Sequence, residues 1–338
     1  MRMIATLAVS ALAPLVAAAP APARLVYVKE YETARPVVYA ATDAGKRPVR
    51  LGVGRAPTVS PDGRWVAYVT VPREAGERDQ VVVRRSGGGG TVRIVMRSKA
   101  IDSVRFSPDS LKVAAVLSGR RLHVYDIGAD TVRTIATGEL RGYAWSPDAT
   151  LLALGRATGK AIDAPSDIWI GRATGGALQR LTTTRDSLNP VWGAKWIVFD
   201  RQRPRRDDAP AYNLWALDPL VVPRAPRRLT KLSIPRLVSG LVPLELSADS
   251  NRLLAVFTGM DTEVGFTVNA LTGKTRALSR DFETGIVGFD LSADGRTILG
   301  HTGGPDPNQP HDVVTVTFRS DGRRQTLVED AAYPDWSR

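Results

Sequence analysis

Tyr143-Ala144-Trp145-Ser146-Pro147-Asp148-Ala149 is the stretch on which the reading of this chain turns. Its last four residues have the chemistry of a β-turn. A Ser or Asp side chain bonds backbone ahead of it, Pro pre-sets φ, and the fourth residue takes the exit conformation. A large apolar residue precedes the turn, and a β-rich run at 151–155 follows it.

The unit recurs along the chain. Ser60-Pro61-Asp62-Gly63, Ser107-Pro108-Asp109-Ser110, Ser247-Ala248-Asp249-Ser250 and Ser292-Ala293-Asp294-Gly295 repeat it. Pro190-Val191-Trp192-Gly193 and Pro334-Asp335-Trp336-Ser337 are degenerate copies. Aligned on the Ser position, the anchors fall at 60, 107, 146, 193, 247, 292 and 337. Before each stands Val59, Phe106, Trp145, Trp192, Leu246, Leu291 or Trp336, expected to pack between neighbouring sheets.

After each turn the sequence predicts a second strand, at 65–69, 112–117, 151–155, 196–200, 253–257 and 297–301, with 25–29 as the seventh. Third strands follow at 37–42, 81–86, 122–127, 167–172, 213–218, 264–270 and 313–318. Each fourth strand carries a basic residue just before an aliphatic one, as in Arg180-Leu181. A repeat of about 45 residues with four short strands is the signature of a propeller blade. The fold expected is all-β: a single β-propeller of seven four-stranded blades, with six as the alternative. The mature N-terminus lacks a first strand and the C-terminus ends on one, so the two termini complete a composite blade, a clasp that removes open sheet edges.

Composition bounds the function. The 338 residues contain no Cys, which excludes disulfides and thiolate chemistry. Residues 1–23 read as a signal peptide: Arg2, an apolar run, then Ala21-Pro22-Ala23 as an A-x-A cleavage site. The propeller then spans 24–338, exported to the periplasm or beyond and not transmembrane. The net charge of +12 favours anionic partners, while nucleic acid is excluded for want of any binding motif.

The motifs Pro-x-Trp-Ser-Pro-Asp-Gly, Asp-Ile-Trp and Arg-Arg-Leu-Thr, in pieces at 143–149, 189–193, 167–170, 179–182 and 227–230, resemble the propeller repeat of the TolB family. The resemblance covers nearly the whole mature chain. It implies a propeller of the kind found alone in exported proteins and beside the hydrolase domain of prolyl-oligopeptidase-type peptidases. Two departures stand out: the chain has no room for the family's preceding α/β domain, and it counts seven blades rather than six. No G-x-S-x-G elbow is present, so a peptidase centre is not expected.

Candidate sites are few. Among the three histidines, His123 reads as structural. His301 ends a strand and His311 starts the next, so a loop turns one toward the other; a plain loop is the default, with a metal or acid–base pair as the alternative. The Asp of each repeat turn reads as a turn residue. Arg105, Glu245, Asp290 and Asp335 each stand two before an anchor, on first strands that line the channel. Long loops between second and third strands, including 201–212, share one face. There Arg201, Arg203, Arg205 and Arg206, with Lys231 and Arg236, form the densest basic cluster, an anionic-ligand or protein-docking patch. No metal or cofactor is expected. These features lead to a non-enzymatic, monomeric binding or scaffolding module for a protein partner or an anionic cell-envelope polymer. The alternative is a propeller lyase or lactonase with a channel-mouth metal site.

Overall fold

The computed structural model describes residues 24–337, except 43, 73, 75, 162, 206–207, 222–224, 237, 260–262, 280–284, 293, 305–308 and 318–322. The expected signal peptide lies outside the described residues. Among the described residues all 28 regular elements are strands, arranged as seven antiparallel four-stranded blades around one axis. Blade 1 is composite. The C-terminal strand Ala332–Trp336 is its innermost strand and pairs with Arg24–Lys29, which continues to Val37–Thr42 and Val49–Val53. Arg24 and Ser337 close the seam with hydrogen bonds in both directions, Arg24 N to Ser337 Oγ at 2.7 Å and Ser337 N to Arg24 O at 2.9 Å. Blades 2 to 7 follow in chain order. Their inner strands are Arg55–Val59, Ile101–Phe106, Glu139–Trp145, Ser187–Trp192, Val238–Leu246 and Val287–Leu291.

The repeat turn explains why the pattern is so regular. In five blades the Ser hydroxyl donates to the Asp carboxylate two residues on, at 2.5–2.6 Å. The same hydroxyl oxygen accepts the N–H of the residue five on, as Leu151 N to Ser146 at 2.9 Å. The Asp accepts the N–H two residues beyond itself, as Thr150 N to Asp148 at 3.1 Å. These bonds hold the Asp148, Asp249 and Asp294 carboxyls below the usual carboxylate range. The fourth turn residue is left-handed in all five, with φ of 63° at Ser110 and 58° at Ser250. Those two Ser side chains offset the strain by accepting Asp62 N and Lys195 N from the preceding blade's turn.

Each sheet is covered on both faces by its neighbours, so second strands are buried in continuous runs rather than alternately. Val66, Ala67, Tyr68 and Val69 are all 0–4 % exposed. The seven anchor residues divide among the interfaces as expected. Trp145 packs between blades 3 and 4, Trp192 between 4 and 5, Trp336 between 7 and 1, and the other four likewise. A fully buried Val, Leu or Phe contributes about 1.5–3 kcal/mol, and this seam repeats seven times.

The motif Asp-Ile-Trp followed by Arg-Leu-Thr is a strut across a blade. Thr182 Oγ1 accepts Ile168 N at 2.9 Å and donates to Asp167 at 2.8 Å, while Arg180 pairs with Asp167. Blade 5 repeats it with Asn213, Arg228 and Thr230.

One expected loop is a hairpin instead. Residues 201–205 and 208–212 extend the second and third strands of blade 5, Ile197–Arg205 and Asp208–Leu217. Cross-strand pairing continues through Gln202–Tyr212 and Arg203–Ala211. The third strand then bridges in parallel to blade 6 at Tyr212–Gly240, joining the two sheets. Gly240, at φ 103°, permits this approach: a Cβ there would strike Tyr212 O.

Candidate functional site

The repeat places two kinds of connection on one face: the loops between second and third strands, and the links from each outer strand to the next blade. On that face the rim of blade 4 holds a cavity of about 640 Å³. It is lined by segments brought together from blades 3 and 4, including Arg120, Glu139, residues 156–160, Trp169, Arg180 and Arg185. Arg141 shapes the wall by donating to the carbonyls of Lys160 and Ala161, both at 2.9 Å.

Its electrostatics are one-sided. Five cationic side chains meet two carboxylates. Glu139 is held by Arg120 at 3.0 Å. Asp167 is occupied by Arg180, Thr182 and the Arg185 N–H. Arg156, Lys160 and Arg185 make no ion pair among the described residues. The Arg156 and Arg180 guanidiniums lie over Trp169, at 5.5 and 5.9 Å from its ring. Trp169 therefore helps fix the positions of two cations, a cation–π role; Arg180 is further held by Thr182 O and Asp167. The cavity can accept an anion, best a planar carboxylate that two guanidiniums can grip.

The sequence-expected basic cluster is distributed differently. Arg201 makes a bidentate pair with Asp186, its closest contact 2.6 Å, and lies over Trp215. Arg205 donates to the carbonyls of Ile234, Pro235 and Val238. Both guanidiniums thus fasten the chain to itself. Arg203, Lys231 and Arg236 are exposed. Arg206 lies outside the described residues.

The expected channel residues do converge. The Asp290 and Asp335 carboxyls are hydrogen-bonded to each other across the seam between blades 7 and 1. Asp335 accepts Thr58 Oγ1 at 2.8 Å and Val59 N at 2.7 Å from blade 2. Glu245 accepts Leu291 N at 3.0 Å, linking blade 6 to blade 7. Arg105 stands exposed on blade 3, its charge acting on Asp290. Burial pushes Asp290 up to about 7 and Asp335 well above the carboxylate range, with the Asp290 charge adding to the latter. Burial and mutual contact thus both disfavour ionising the two carboxyls together.

Two features escaped sequence reasoning or were underweighted in it. Asp200, on the second strand of blade 5, is fully buried, and burial raises its pKa to about 7. The Asn189 amide eases that shift, yet neither Asp200 oxygen receives a well-formed hydrogen bond among the described residues. An Asp inside an otherwise apolar strand was the available signal. His301 and His311 meet: their Nδ1 atoms are 3.2 Å apart beneath Tyr31, Phe289 and Tyr333. Burial, then the neighbouring His311, lowers His301 to about 4. His123 is half-buried beside Thr134, as a structural residue should be.

No protein-family model and no curated protein sequence matches the chain. Solved structures do. The β-propeller domain of the trilobed protease from Pyrococcus furiosus has a TM-score of 0.68 at 13% identity, covering 90% of this chain and 94% of that one. That propeller is described as an open velcro, whereas here the clasp is closed. TolB from Acinetobacter baumannii gives 0.57 at 16% identity, over 94% of this chain and 83% of that one. Pyrococcus horikoshii acylaminoacyl peptidase gives 0.65 at 12% identity, over 90% of this chain but only 50% of the peptidase. At such identities the likeness establishes the fold, a TolB-like β-propeller. It also corrects the expected function. The similar structures divide between TolB and peptidases whose matched part is a propeller, which singles out neither a scaffolding module nor lyase or lactonase chemistry. Among the described residues no helix is long and apolar enough to cross a membrane, and no group of three or more His, Asp or Glu side chains is placed to hold a metal.

Proposed function

We propose that this propeller is a peptide-selecting domain: it captures the C-terminal carboxylate of an extended polypeptide in the blade 4 cavity and presents that chain to a separate partner. The observation that carries the reading is the trio Arg156, Lys160 and Arg185, which line one cavity and make no ion pair among the described residues. A volume of about 640 Å³ suits a few residues of extended chain. The recurrence of propellers in peptidases supports a polypeptide ligand. The domain supplies no catalytic group of its own in this reading. The apolar leader read at 1–23 supports a location outside the cytoplasm, and the excess of cations in the cavity favours acidic chain ends over neutral ones.

The test is a matched pair of fluorescent peptides, one ending in a free carboxylate and one in an amide. Fluorescence anisotropy should give at least about tenfold tighter binding for the acid, the worth of one charge-assisted hydrogen bond. Equal affinities would remove the carboxylate from the account.

A further inference from the structure

We infer that His301 and His311 form a binding site for a first-row divalent transition metal, one that fastens blade 7 to the clasp of blade 1. The site is separate from the blade 4 cavity and does not depend on its reading.

Three donor atoms form a triangle. The His301 and His311 Nδ1 atoms are 3.2 Å apart. The Thr302 carbonyl oxygen lies 2.8 Å from His301 Nδ1 and within hydrogen-bond reach of His311 Nδ1. A metal bound at about 2.0–2.1 Å to donors 3.2 Å apart subtends an angle of about 100°, and to donors 2.8 Å apart about 85°. The first lies between octahedral and tetrahedral, and the second lies just below the octahedral right angle. Imidazole nitrogen with a carbonyl oxygen is a donor set for zinc, nickel or copper rather than calcium or magnesium.

Hydrogen bonding alone serves this triangle poorly. A neutral imidazole has one N–H. If both Nδ1 atoms carry it, both crowd one carbonyl. If either Nδ1 lacks it, a lone pair faces the carbonyl oxygen. A cation reconciles all three. Both imidazoles are held for it: His301 is 2 % exposed and His311 1 %. The turn between them runs through Gly303, at φ 88°, where any Cβ would strike His311 Nδ1.

The position gives the site its consequence. His311 N donates to Tyr31 Oη and His311 O accepts Ala331 N, both at 2.8 Å, so the ligand touches the segment just after Arg24–Lys29 and the segment just before Ala332–Trp336. Buried beneath Tyr31 and Tyr333, it has no open approach for a substrate, and its role is structural.

With only three histidines in the chain, the imidazoles can be followed individually by ¹⁵N NMR in metal-free wild type. One equivalent of Zn²⁺ should move two of the three, with the Nδ1 shifts of coordination, leave His123 in place, and raise Tm by several degrees. His301→Gln and His311→Gln should each abolish the saturable binding. Unmoved imidazoles at equimolar Zn²⁺, or a response confined to His123, would overturn the site. So would 1:1 binding retained in both variants. If a variant does not fold, the wild-type spectrum decides alone.

Discussion

Asp200→Asn should melt several degrees above wild type at pH 8 and level with it near pH 4. Asp200 is fully buried, lacks a well-formed hydrogen bond, and titrates at about 7 in the folded chain against 3.8 unfolded. Between those values the native state holds a proton that the unfolded state has released. Stability is therefore fully present below about pH 4 and falls as pH rises toward 7. A shift of about 3 pH units corresponds to roughly 4 kcal/mol for a group with no solvent screening. Asn keeps the shape of the protonated acid and removes the titration. Asp290, also at about 7, adds a second loss over the same window, and Asp335 extends it higher. The wild-type curve of stability against pH should thus slope downward from mildly acid to alkaline, and the variant's slope should be shallower. Denaturant midpoints from pH 4 to 9 measure both. Parallel curves for the two proteins would show that Asp200 is not the buried acid described.

The larger effect on binding is expected from Arg156→Glu, Lys160→Glu and Arg185→Glu together. Each charge-assisted hydrogen bond is worth about 1.5–3 kcal/mol. Losing even two, with repulsion in their place, should weaken a free-carboxylate peptide at least ~100-fold. None of the three makes an ion pair among the described residues, so the fold should be spared. Thermal melts check this. Reversing Arg203, Lys231 and Arg236 is the control, and it should change the affinity little. Loss in the control with retention in the triple variant would move the site to blade 5.

Much of the fold was legible because its determinants are local. The Ser–Asp turn makes its hydrogen bonds within five residues, so five copies announced themselves. The Trp192 and Trp336 copies lack the Ser-Pro-Asp chemistry and were found through spacing and the aromatic anchor. Second strands such as Trp65–Val69 and Lys112–Leu117 have the predicted limits. The hairpin at 201–212 read as a loop because Pro204 and Pro210 and a run of charge break the apolar pattern. What orders it is Asp186, Trp215 and the carbonyls of residues 234–238, remote in sequence.

The sites divide along the same line. The channel carboxylates were found because they hold one register in the repeat. The blade 4 cavity has no register. Arg120, Lys160 and Arg185 come from three separate connections, and each resembles any exposed cation until the ring closes. A dense arginine run drew attention to blade 5, yet two of its guanidiniums are spent inside the fold.

The measurement that bears most directly on the account is photo-cross-linking of a free-carboxylate peptide with benzophenone beside its last residue, followed by mass spectrometry. The account predicts attachment on the rim of blade 4, within residues 156–160 or at Trp169. Attachment at the channel mouth around Tyr333, or at Arg203 and Arg236 on blades 5 and 6, would contradict it.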